Sequence, residues 1–468
     1  MLANPFYVCR EDVFRLRVLL RVVCFAALLL LLMPTTAFAS TWSKTFPWFD
    51  YFARYQGGLV QVGGGGSVFS AGVNFNTSEI LLVKRGGMYG GVLWSRTYPV
   101  GESISVIDLR LDHDGNSFVL VKEDGQPDSL LIKHGPTGKL LWAKYLRIHA
   151  DTLQVDRRGS AYVVGDFERD VTIAKFGPGG DRRWTRRFNS NSDGFDTVRS
   201  RSFEMNYMER GGRSSDRNSA ALDSRNNLVV LTNSEGSEWN RDSLVDDLVI
   251  LKFRPDGKRI WTRRHQTPRK NKVRAHDIEI DRDDNIVLGA TTRDEHFYIV
   301  KYSPAGRFLW ASKYGNGTQT LHNLSINRSN KFVSDIYAAG LESGDRQEKF
   351  LLVKLGPDGT HKWARSGTGV DRAKKMGFVD VVVNSDGWAF IAGSAWTTQD
   401  WSQSWEQKNI LIGYSAKGRQ FWNKSGSSGT STMLAADKSG HIYHGYTRYN
   451  DTYNYGLLGH LFTAKYHP

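Results

Sequence analysis

Residues 278–310 read IEIDRDDNIVLGATTRDEHFYIVKYSPAGRFLW, and this stretch decides the fold. It holds an alternating segment that ends at Asp281, an apolar segment that ends at Gly289, an apolar segment that carries Lys301 and a last segment that carries Trp310. Apolar and polar residues that alternate between turns rich in Asp, Asn, Pro and Gly are typical of short antiparallel β-strands. We therefore interpret the unit as four strands, named a to d in chain order.

The same unit recurs along almost the whole chain. Successive tryptophans of strand d lie 42 to 59 residues apart, except for one gap of 77 residues between Trp184 and Trp261. Repeats of this length with four strands each are typical of propeller blades. The sequence therefore predicts an all-β fold, an eight-bladed β-propeller of four-stranded antiparallel blades. The strand-c lysines are Lys84, Lys133, Lys175, Lys252, Lys301, Lys354 and Lys465.

The two ends of the repeat region predict how the ring closes. A lone d strand, residues 42–45, opens it, and a lone c strand, residues 462–466, ends it. The N-terminal strand can therefore complete the last blade. Such closure removes the open strand edges that would otherwise pair with neighbouring molecules.

The repeats resemble the bacterial β-propeller repeats abbreviated SBBP and, more loosely, the tryptophan-repeat propellers of the pyrroloquinoline-quinone-binding-like superfamily. The resemblance rests on the Lys, Pro-x-Gly and Trp positions and covers nearly all of residues 40–468. It implies a fold and no single function, because propellers carry many functions.

The first 39 residues have the pattern of a signal peptide. Four arginines precede an unbroken apolar run, residues 22–33, and Ala37-Phe38-Ala39 forms a cleavage site of the small-x-small type. The run is shorter than the roughly 20 residues of a membrane span, although an uncleaved anchor is the alternative. We expect residues 1–39 to be the signal peptide, residues 40–468 to be a single propeller domain, and the protein to be periplasmic or secreted.

Cysteine content and charge restrict the chemistry. Both cysteines, Cys9 and Cys24, lie in the predicted leader, so the mature chain can form no disulfide and no thiol-ligated metal site. The formal charge is +14, of which the leader carries +2. For an exported basic protein we expect an anionic glycan or an acidic protein surface as partner, and no nucleic acid. A generally basic, solvated surface is the alternative, and we expect a monomer.

The repeated polar residues predict structural roles. Seven lysines at equivalent positions of a ring cannot all be catalytic, so each is expected to lay its stem over apolar neighbours and to pair its ammonium locally. The Asp or Asn that ends strand a is expected to bind turn amides. Residues 112–116 resemble half of a calcium loop, but the loop is too short and lacks a closing acidic ligand. We expect no metal site and no cofactor, and we assign no catalytic residue.

Long departures from the repeat all fall on the face that carries the d–a and b–c connections, here named the long-loop face. They are residues 189–218, 233–247, 394–409 and 447–456. Long loops on a rigid scaffold are where binding sites usually lie. Packing of the aromatic residues onto the ring, and disorder of residues 189–218, are the alternatives. The predicted binding residues are Trp239, Trp396, Trp401, Trp405, Tyr449, Tyr453, Tyr455, Arg199, Arg201, Lys270, Lys272, Arg274, Lys374 and Lys375.

These observations favour a non-catalytic binding or scaffold propeller that recognises a glycan or protein through the long-loop face. The alternative is an enzyme, either a quinoprotein-type dehydrogenase or a glycan-cleaving propeller. Many quinoprotein dehydrogenases use a vicinal Cys disulfide at the cofactor, as the family resemblance implies, and the mature chain cannot form one. Pyrroloquinoline-quinone binding without catalysis rests on analogy of fold alone.

Overall fold

The computed structural model shows eight antiparallel sheets, named blades 1 to 8. It describes residues 42–45, 55–74, 77–100, 104–123, 128–167, 170–188, 218–233, 247–266, 273–315, 317–328, 334–344, 347–377, 379–398, 405–425, 428–449 and 459–467. The predicted leader lies outside these residues.

The strands follow the predicted order a, b, c, d in each repeat. The chain begins with β1 (Trp42–Thr45). Blade 1 contains β2 (Tyr55–Val62), β3 (Val68–Asn74), β4 (Glu79–Arg85) and β5 (Val92–Pro99). Blade 2 contains β6 (Ile104–Leu111), β7 (Ser117–Glu123), β8 (Ser129–His134) and β9 (Leu140–Tyr145). Blade 3 contains β10 (His149–Val155), β11 (Ala161–Phe167), β12 (Asp170–Phe176) and β13 (Arg182–Phe188). Blade 4 contains β14 (Ser219–Leu222), β15 (Leu228–Asn233), β16 (Leu248–Phe253) and β17 (Arg259–His265).

The second half of the ring repeats this arrangement. Blade 5 contains β18 (Val273–Ile280), β19 (Ile286–Thr292), β20 (Phe297–Tyr302) and β21 (Phe308–Tyr314). Blade 6 contains β22 (Thr318–Ile326), β23 (Ile336–Ser343), β24 (Glu348–Leu355) and β25 (His361–Gly367). Blade 7 contains β26 (Ala373–Met376), β27 (Asp380–Val383), β28 (Ala389–Thr398), β29 (Trp405–Tyr414) and β30 (Gln420–Asn423). Blade 8 contains β31 (Gly429–Ala436), β32 (Ile442–Tyr449) and β33 (Gly459–Tyr466).

Closure of the ring is confirmed. The sheet of blade 8 has the order β1-β33-β32-β31, so the first strand of the chain becomes the outer strand of the last blade. The two strands are antiparallel, with Trp42 opposite Lys465 and Thr45 opposite Phe462. The eight-bladed, all-β architecture expected from the repeat is therefore correct. The one helical element in the described part of the chain is a single 3-10 turn, Gly64–Gly66.

Blade 7 differs from the expected pattern in two ways. Its a strand is divided into β26 and β27, both of which pair with β28. The predicted loop 394–409 is partly strand, because β28 continues to Thr398 and β29 begins at Trp405, with these two residues opposite each other. The strand pairing of the hairpin thus continues through Ala395 and Thr397, which are buried, as far as Thr398 and Trp405. This correction gives the long-loop face a rigid element where the sequence predicted a loop.

The apolar faces of the blades pack against one another around the ring. Clusters of buried side chains join each pair of neighbouring blades, from blades 1 and 2 through to blades 7 and 8. A final cluster of Val60, Val68 and Tyr443 joins blade 8 to blade 1. Adjacent residues of a strand point to opposite faces of the sheet. One face of each blade therefore packs against the preceding blade, and the other face packs against the following blade.

Candidate functional site

The c–d turns carry a contact between neighbouring blades that recurs around the ring. In blade 2, Lys133 Nζ and Trp142 Nε1 both donate to the carbonyl oxygen of Pro178 in the next blade, at 3.2 and 2.9 Å. We name this arrangement of lysine, tryptophan and carbonyl the inter-blade clasp. The same pair of bonds joins blades 1 and 2, 3 and 4, 4 and 5, 5 and 6, and 6 and 7.

Most of the clasp lysines also pair with an acidic residue of their own blade. Lys252 Nζ lies 2.8 Å from Asp223, and Lys301 Nζ lies 2.8 Å from Asp281. Each of these Asp side chains also accepts backbone amides of the a–b turn, as the sequence predicted. In blade 6 the turn residue is Asn327, and Lys354 pairs with Asp335 instead, at 2.8 Å.

Burial and pairing act in opposite directions on these groups. Burial alone would raise the pKa of Asp223, but hydrogen bonds from Lys252 and Asn227 outweigh it and lower the pKa. Burial lowers the pKa of the Lys175 ammonium, while Asp156 partly opposes this effect. The ammoniums are thus held by fixed partners at the ring interfaces. The repeated Lys, Asp and Trp residues therefore serve packing, in agreement with the structural roles predicted for them.

The calcium-like stretch is occupied by protein groups. Asp112 accepts hydrogen bonds from the backbone and side-chain nitrogens of Asn116, at 2.8 and 2.6 Å. Lys133 Nζ lies 3.6 Å from the same carboxylate. Among the described residues, no group of three or more His, Cys, Asp or Glu side chains is placed to hold a metal ion.

The long-loop face contains the predicted binding residues, of which the structure places four in full. Trp396 lies in β28, Lys374 and Lys375 lie in β26, and Arg274 lies in β18, two blades away. The backbone positions of two more are known, since Trp405 begins β29 and Tyr449 ends β32. The others lie outside the described residues: Trp239, Trp401, Tyr453, Tyr455, Arg199, Arg201, Lys270 and Lys272.

Blade 7 brings an aromatic, a cationic and an amide side chain together at the inner rim of this face. Trp396 is directly opposite Lys375 on one side and directly opposite Gln407 on the other. Residues directly opposite in antiparallel strands project from the same face of the sheet. Lys375 is exposed, and Trp396 and Gln407 are half-buried. We name these three residues the blade 7 triplet.

Gly377 determines the position of the indole. A Cβ atom at this residue would lie 2.9 Å from two ring carbons of Trp396. The Gly377 backbone N–H donates to the carbonyl of Ser394 at 2.7 Å, which fixes the glycine against β28. The indole therefore lies over a backbone surface without a side chain, and its orientation is set by strand pairing. Trp396 thus lies in a paired strand and is half-buried.

The neighbouring charges along β29 are paired. Lys408 Nζ lies 3.1 Å from Glu406, and the Ser428 hydroxyl donates to the same carboxylate at 3.0 Å. Lys374 and Lys375 are exposed on the adjacent inner strand. The strand that pairs with Trp396 therefore carries two exposed lysines, and such a combination suits an anionic ligand with an apolar face.

Two histidines lie on the inner strands of the adjoining blades. The His276 Nε2 atom lies 2.7 Å from the Thr291 hydroxyl, and the His322 Nδ1 atom accepts the backbone N–H of Val379 at 3.1 Å. Burial, with smaller effects of His322 and Arg274, lowers the pKa of His276 well below its usual value. His276 is therefore a neutral hydrogen-bonding group within blade 5 near neutral pH, and His322 joins blade 6 to blade 7.

Gln407 was missed by the sequence reasoning, although the signal was present. Gly393 of β28 is opposite Ile410 of β29. Counting three residues from this pair towards the b–c connection places Gln407 opposite Trp396. Lys375 was predicted, but its pairing with Trp396 depends on a β-bulge between Ala373 and Lys375. A bulge inserts one residue into one strand and re-aims the side chains that follow.

The comparisons with known proteins extend to fold alone. No protein-family model and no curated protein matches the chain. Among solved structures, Saccharomyces cerevisiae Sqt1 is 10% identical with a TM-score of 0.50, over 89% of this chain and 98% of that one. A prolyl endopeptidase is 12% identical with a TM-score of 0.47, over 86% of this chain, which spans about half (55%) of that protein. The NanB sialidase of Streptococcus pneumoniae is 8% identical with a TM-score of 0.39, over 91% of this chain and 94% of that one.

Proposed function

We propose that this protein is an exported, non-catalytic binding or scaffold propeller that recognises an anionic glycan through its long-loop face. The blade 7 triplet is the observation that carries the proposal. Trp396 is directly opposite Lys375 in one neighbouring strand and Gln407 in the other, so the three side chains project from the same face of the blade. An aromatic ring offers a flat apolar surface to a sugar, the amide can bond hydroxyl groups, and the ammonium can pair with a carboxylate or sulfate.

The asymmetry between the two faces supports this location. On the opposite face, the c–d turns are short and their carbonyls are occupied by the inter-blade clasp. On the long-loop face, the blade 7 hairpin stays paired as far as Thr398 and Trp405, and the exposed Lys374 and Lys375 lie on the adjacent strand. A ligand bound there would contact a rigid sheet, so little conformational entropy would be lost on binding.

The test is a glycan array that carries sulfated and uronic-acid oligosaccharides together with their neutral counterparts. We expect selective binding of anionic oligosaccharides. Titration calorimetry with the best anionic oligosaccharide on the array then compares the wild type with Trp396→Ala and Lys375→Gln. We expect Trp396→Ala to weaken binding by roughly 30-fold or more, the cost of removing a central aromatic contact. Lys375→Gln should weaken binding less and reduce its salt dependence.

Matched controls separate a binding role from a folding role. Lys362→Gln changes a lysine that is paired with Asp335 in blade 6, away from the hairpin, and should leave glycan affinity unchanged. Each variant should keep the wild-type circular dichroism spectrum. Binding to neutral and anionic glycans alike, or an affinity that Trp396→Ala leaves unchanged, would contradict the proposal.

We also infer that the repeats belong with the SBBP-type and tryptophan-repeat propellers, and that the chain is exported to the periplasm or beyond. The repeated Lys, Pro-x-Gly and Trp positions support the first inference. The arginine-rich start, the apolar run and the Ala37-Phe38-Ala39 site support the second. In the part of the chain that the structure describes, no helix is long and apolar enough to cross a bilayer.

A further inference from the structure

The outer strands of blades 1 and 2 expose large apolar side chains. Seven of the ten exposed large hydrophobic residues identified in the described part of the chain belong to these two blades. We name this set the blade 1–2 rim. Exposed contiguous apolar surface on a folded protein marks an interaction site. Its members are Met88, Tyr89, Val92, Leu93, Leu140, Leu141 and Tyr145.

The two halves of the rim are joined by the inter-blade clasp. Trp94, the neighbour of Leu93, donates to the carbonyl of Pro136 at 2.8 Å. Arg96 Nε donates to the carbonyl of Gly138 at 2.7 Å, two residues before Leu140. The c–d turn of blade 2 therefore lies against the outer strand of blade 1. This contact brings the outer strand of blade 1 next to the turn that leads into Leu140 and Leu141.

The rim has positive charge and no acidic residue in its own strands and turns. Residues 86–99 and 135–147 contain no Asp or Glu, and they carry Arg96, Lys139, Lys144 and Arg147, all exposed. Arg96 donates to the backbone carbonyls of Gly138 and Ser95. Glu123, which bonds Tyr145, is buried. Apolar side chains flanked by cations match the chemistry of an anionic lipid surface.

The geometry of the outer strands disfavours a partner strand. In blades 1 and 2 the d strand has a bulge next to the tryptophan, where Leu93 and Leu141 are the extra residues. Bulges twist an edge away and protect it from pairing with another strand. The exposed leucines thus lie at positions where a fifth strand cannot continue the ladder. A surface that needs no backbone hydrogen bonds, such as a bilayer interface, fits better.

We infer that the blade 1–2 rim docks on the surface of an anionic phospholipid bilayer. Tyr89, which is 72% exposed at the tip of the c–d turn of blade 1, and Leu93, which is 61% exposed, enter the interfacial region. Lys139 and Lys144 lie against the phosphate groups. This surface is on the outer wall of the ring, and the long-loop face is left open to its own ligand.

The test is co-sedimentation of the full chain with vesicles of phosphatidylglycerol and phosphatidylcholine, and with vesicles of phosphatidylcholine alone. We expect binding to the anionic vesicles that weakens at high salt. Leu93→Ser with Leu141→Ser should lower the partition coefficient about tenfold, since two apolar anchors are lost. Lys139→Gln with Lys144→Gln should lower it on anionic vesicles and reduce the salt effect.

The matched control is Ile260→Ser with Leu309→Ser. These residues are the extra residues of the equivalent bulges in blades 4 and 5, and they too are exposed. Two of the cations there have acidic partners, since Arg254 pairs with Asp256 and Lys313 pairs with Asp294. The control pair should bind vesicles as the wild type does. Equal loss in both pairs, no binding to anionic vesicles, or a wild-type dimer in light scattering that Leu93→Ser with Leu141→Ser dissociates would overturn the inference.

Discussion

At the scale of single residues, the ring is organised around buried pairs of lysine and aspartate. Blade 7 lacks both members, because Gly413 replaces the lysine and Asn384 replaces the aspartate. Asn384 still accepts the turn amides of Asp386 and Trp388, at 3.1 and 2.9 Å. An uncharged side-chain oxygen is thus enough to accept the turn amides. The negative charge of the aspartate in other blades is needed only to pair with the lysine. This explains why the two charged residues are absent from the same blade.

The interdependence of the pair predicts a non-additive effect on stability. Lys301→Met would leave the Asp281 carboxylate buried without its counterion, and we expect a loss of about 3 to 5 kcal/mol in the free energy of unfolding. Asp281→Asn alone would leave the ammonium unpaired. Lys301→Met with Asp281→Asn copies the uncharged state of blade 7 and should recover much of that loss. Calorimetric unfolding of the four proteins measures this coupling.

An exposed ion pair provides the comparison for this cycle. Lys313 and Asp294 pair on the surface, with 43% of each side chain exposed. Lys313→Met should change stability by only about 0 to 1 kcal/mol. Additive losses in the Lys301 and Asp281 cycle would show that the two charges are not coupled.

At the scale of elements, the c–d turn packs against the tryptophan of the preceding blade. Gly359 has a φ of +85°, and a Cβ atom there would lie 2.7 Å from Trp310. Gly359→Ala is expected to lower stability by more than about 1 kcal/mol, since it combines backbone strain with a clash against a fixed ring. Thermal unfolding measures the effect. Gly91→Ala, at a turn with no atom within 4 Å of the added Cβ, should change stability little, and equal losses would contradict the packing role.

Strands and turns were predictable from the sequence because period-two patterns report which residues face the core. The tryptophan at each d strand and the glycine of each turn were visible, but their contact was not, since it joins residues of successive repeats. The divided a strand of blade 7 and the outward extension of β28 and β29 were missed for a related reason. Ala373, Met376 and Ala395 in these parts are buried, but the β-bulge and the division of the a strand interrupt the period-two pattern of their sequence.

The candidate site was predictable only in part. Composition pointed to Trp396 and to Lys374 and Lys375, because aromatic and basic residues are conspicuous outside the repeat. Their arrangement depends on the bulge in β26 and on Gly377, which determine what lies beside the indole. Neither can be located from alternation, because a bulge shifts register without changing residue type.

At the scale of the whole molecule, the contacts that close the ring repeat those inside it. Lys465 Nζ donates to the carbonyl of Gly87 at 3.0 Å, the lysine half of the inter-blade clasp between blades 8 and 1. The hydroxyl groups of Ser70 and Thr463 lie 2.6 Å apart in the same buried interface. The interface between blades 8 and 1 therefore has the same kind of contacts as the other interfaces. The N-terminal strand β1 supplies the outer strand of blade 8.

Closure predicts a specific disulfide. Ser43 and Ala464 are directly opposite in β1 and β33, and the two native cysteines can be removed as Cys9→Ser and Cys24→Ser. In that background Ser43→Cys with Ala464→Cys should oxidise readily, because opposite residues of antiparallel strands have Cα atoms roughly 4.5 to 5.5 Å apart, within disulfide range. The crosslink would enclose almost the whole ring and should stabilise it by roughly 4 kcal/mol, seen as a higher melting temperature that reductant reverses. Thr45→Cys with Ala464→Cys is the register control, because Thr45 is opposite Phe462, and it should oxidise more slowly. Equal crosslinking of both pairs would mean that β1 has no fixed register on β33, and crosslinking of neither would mean that the N-terminal strand does not complete blade 8.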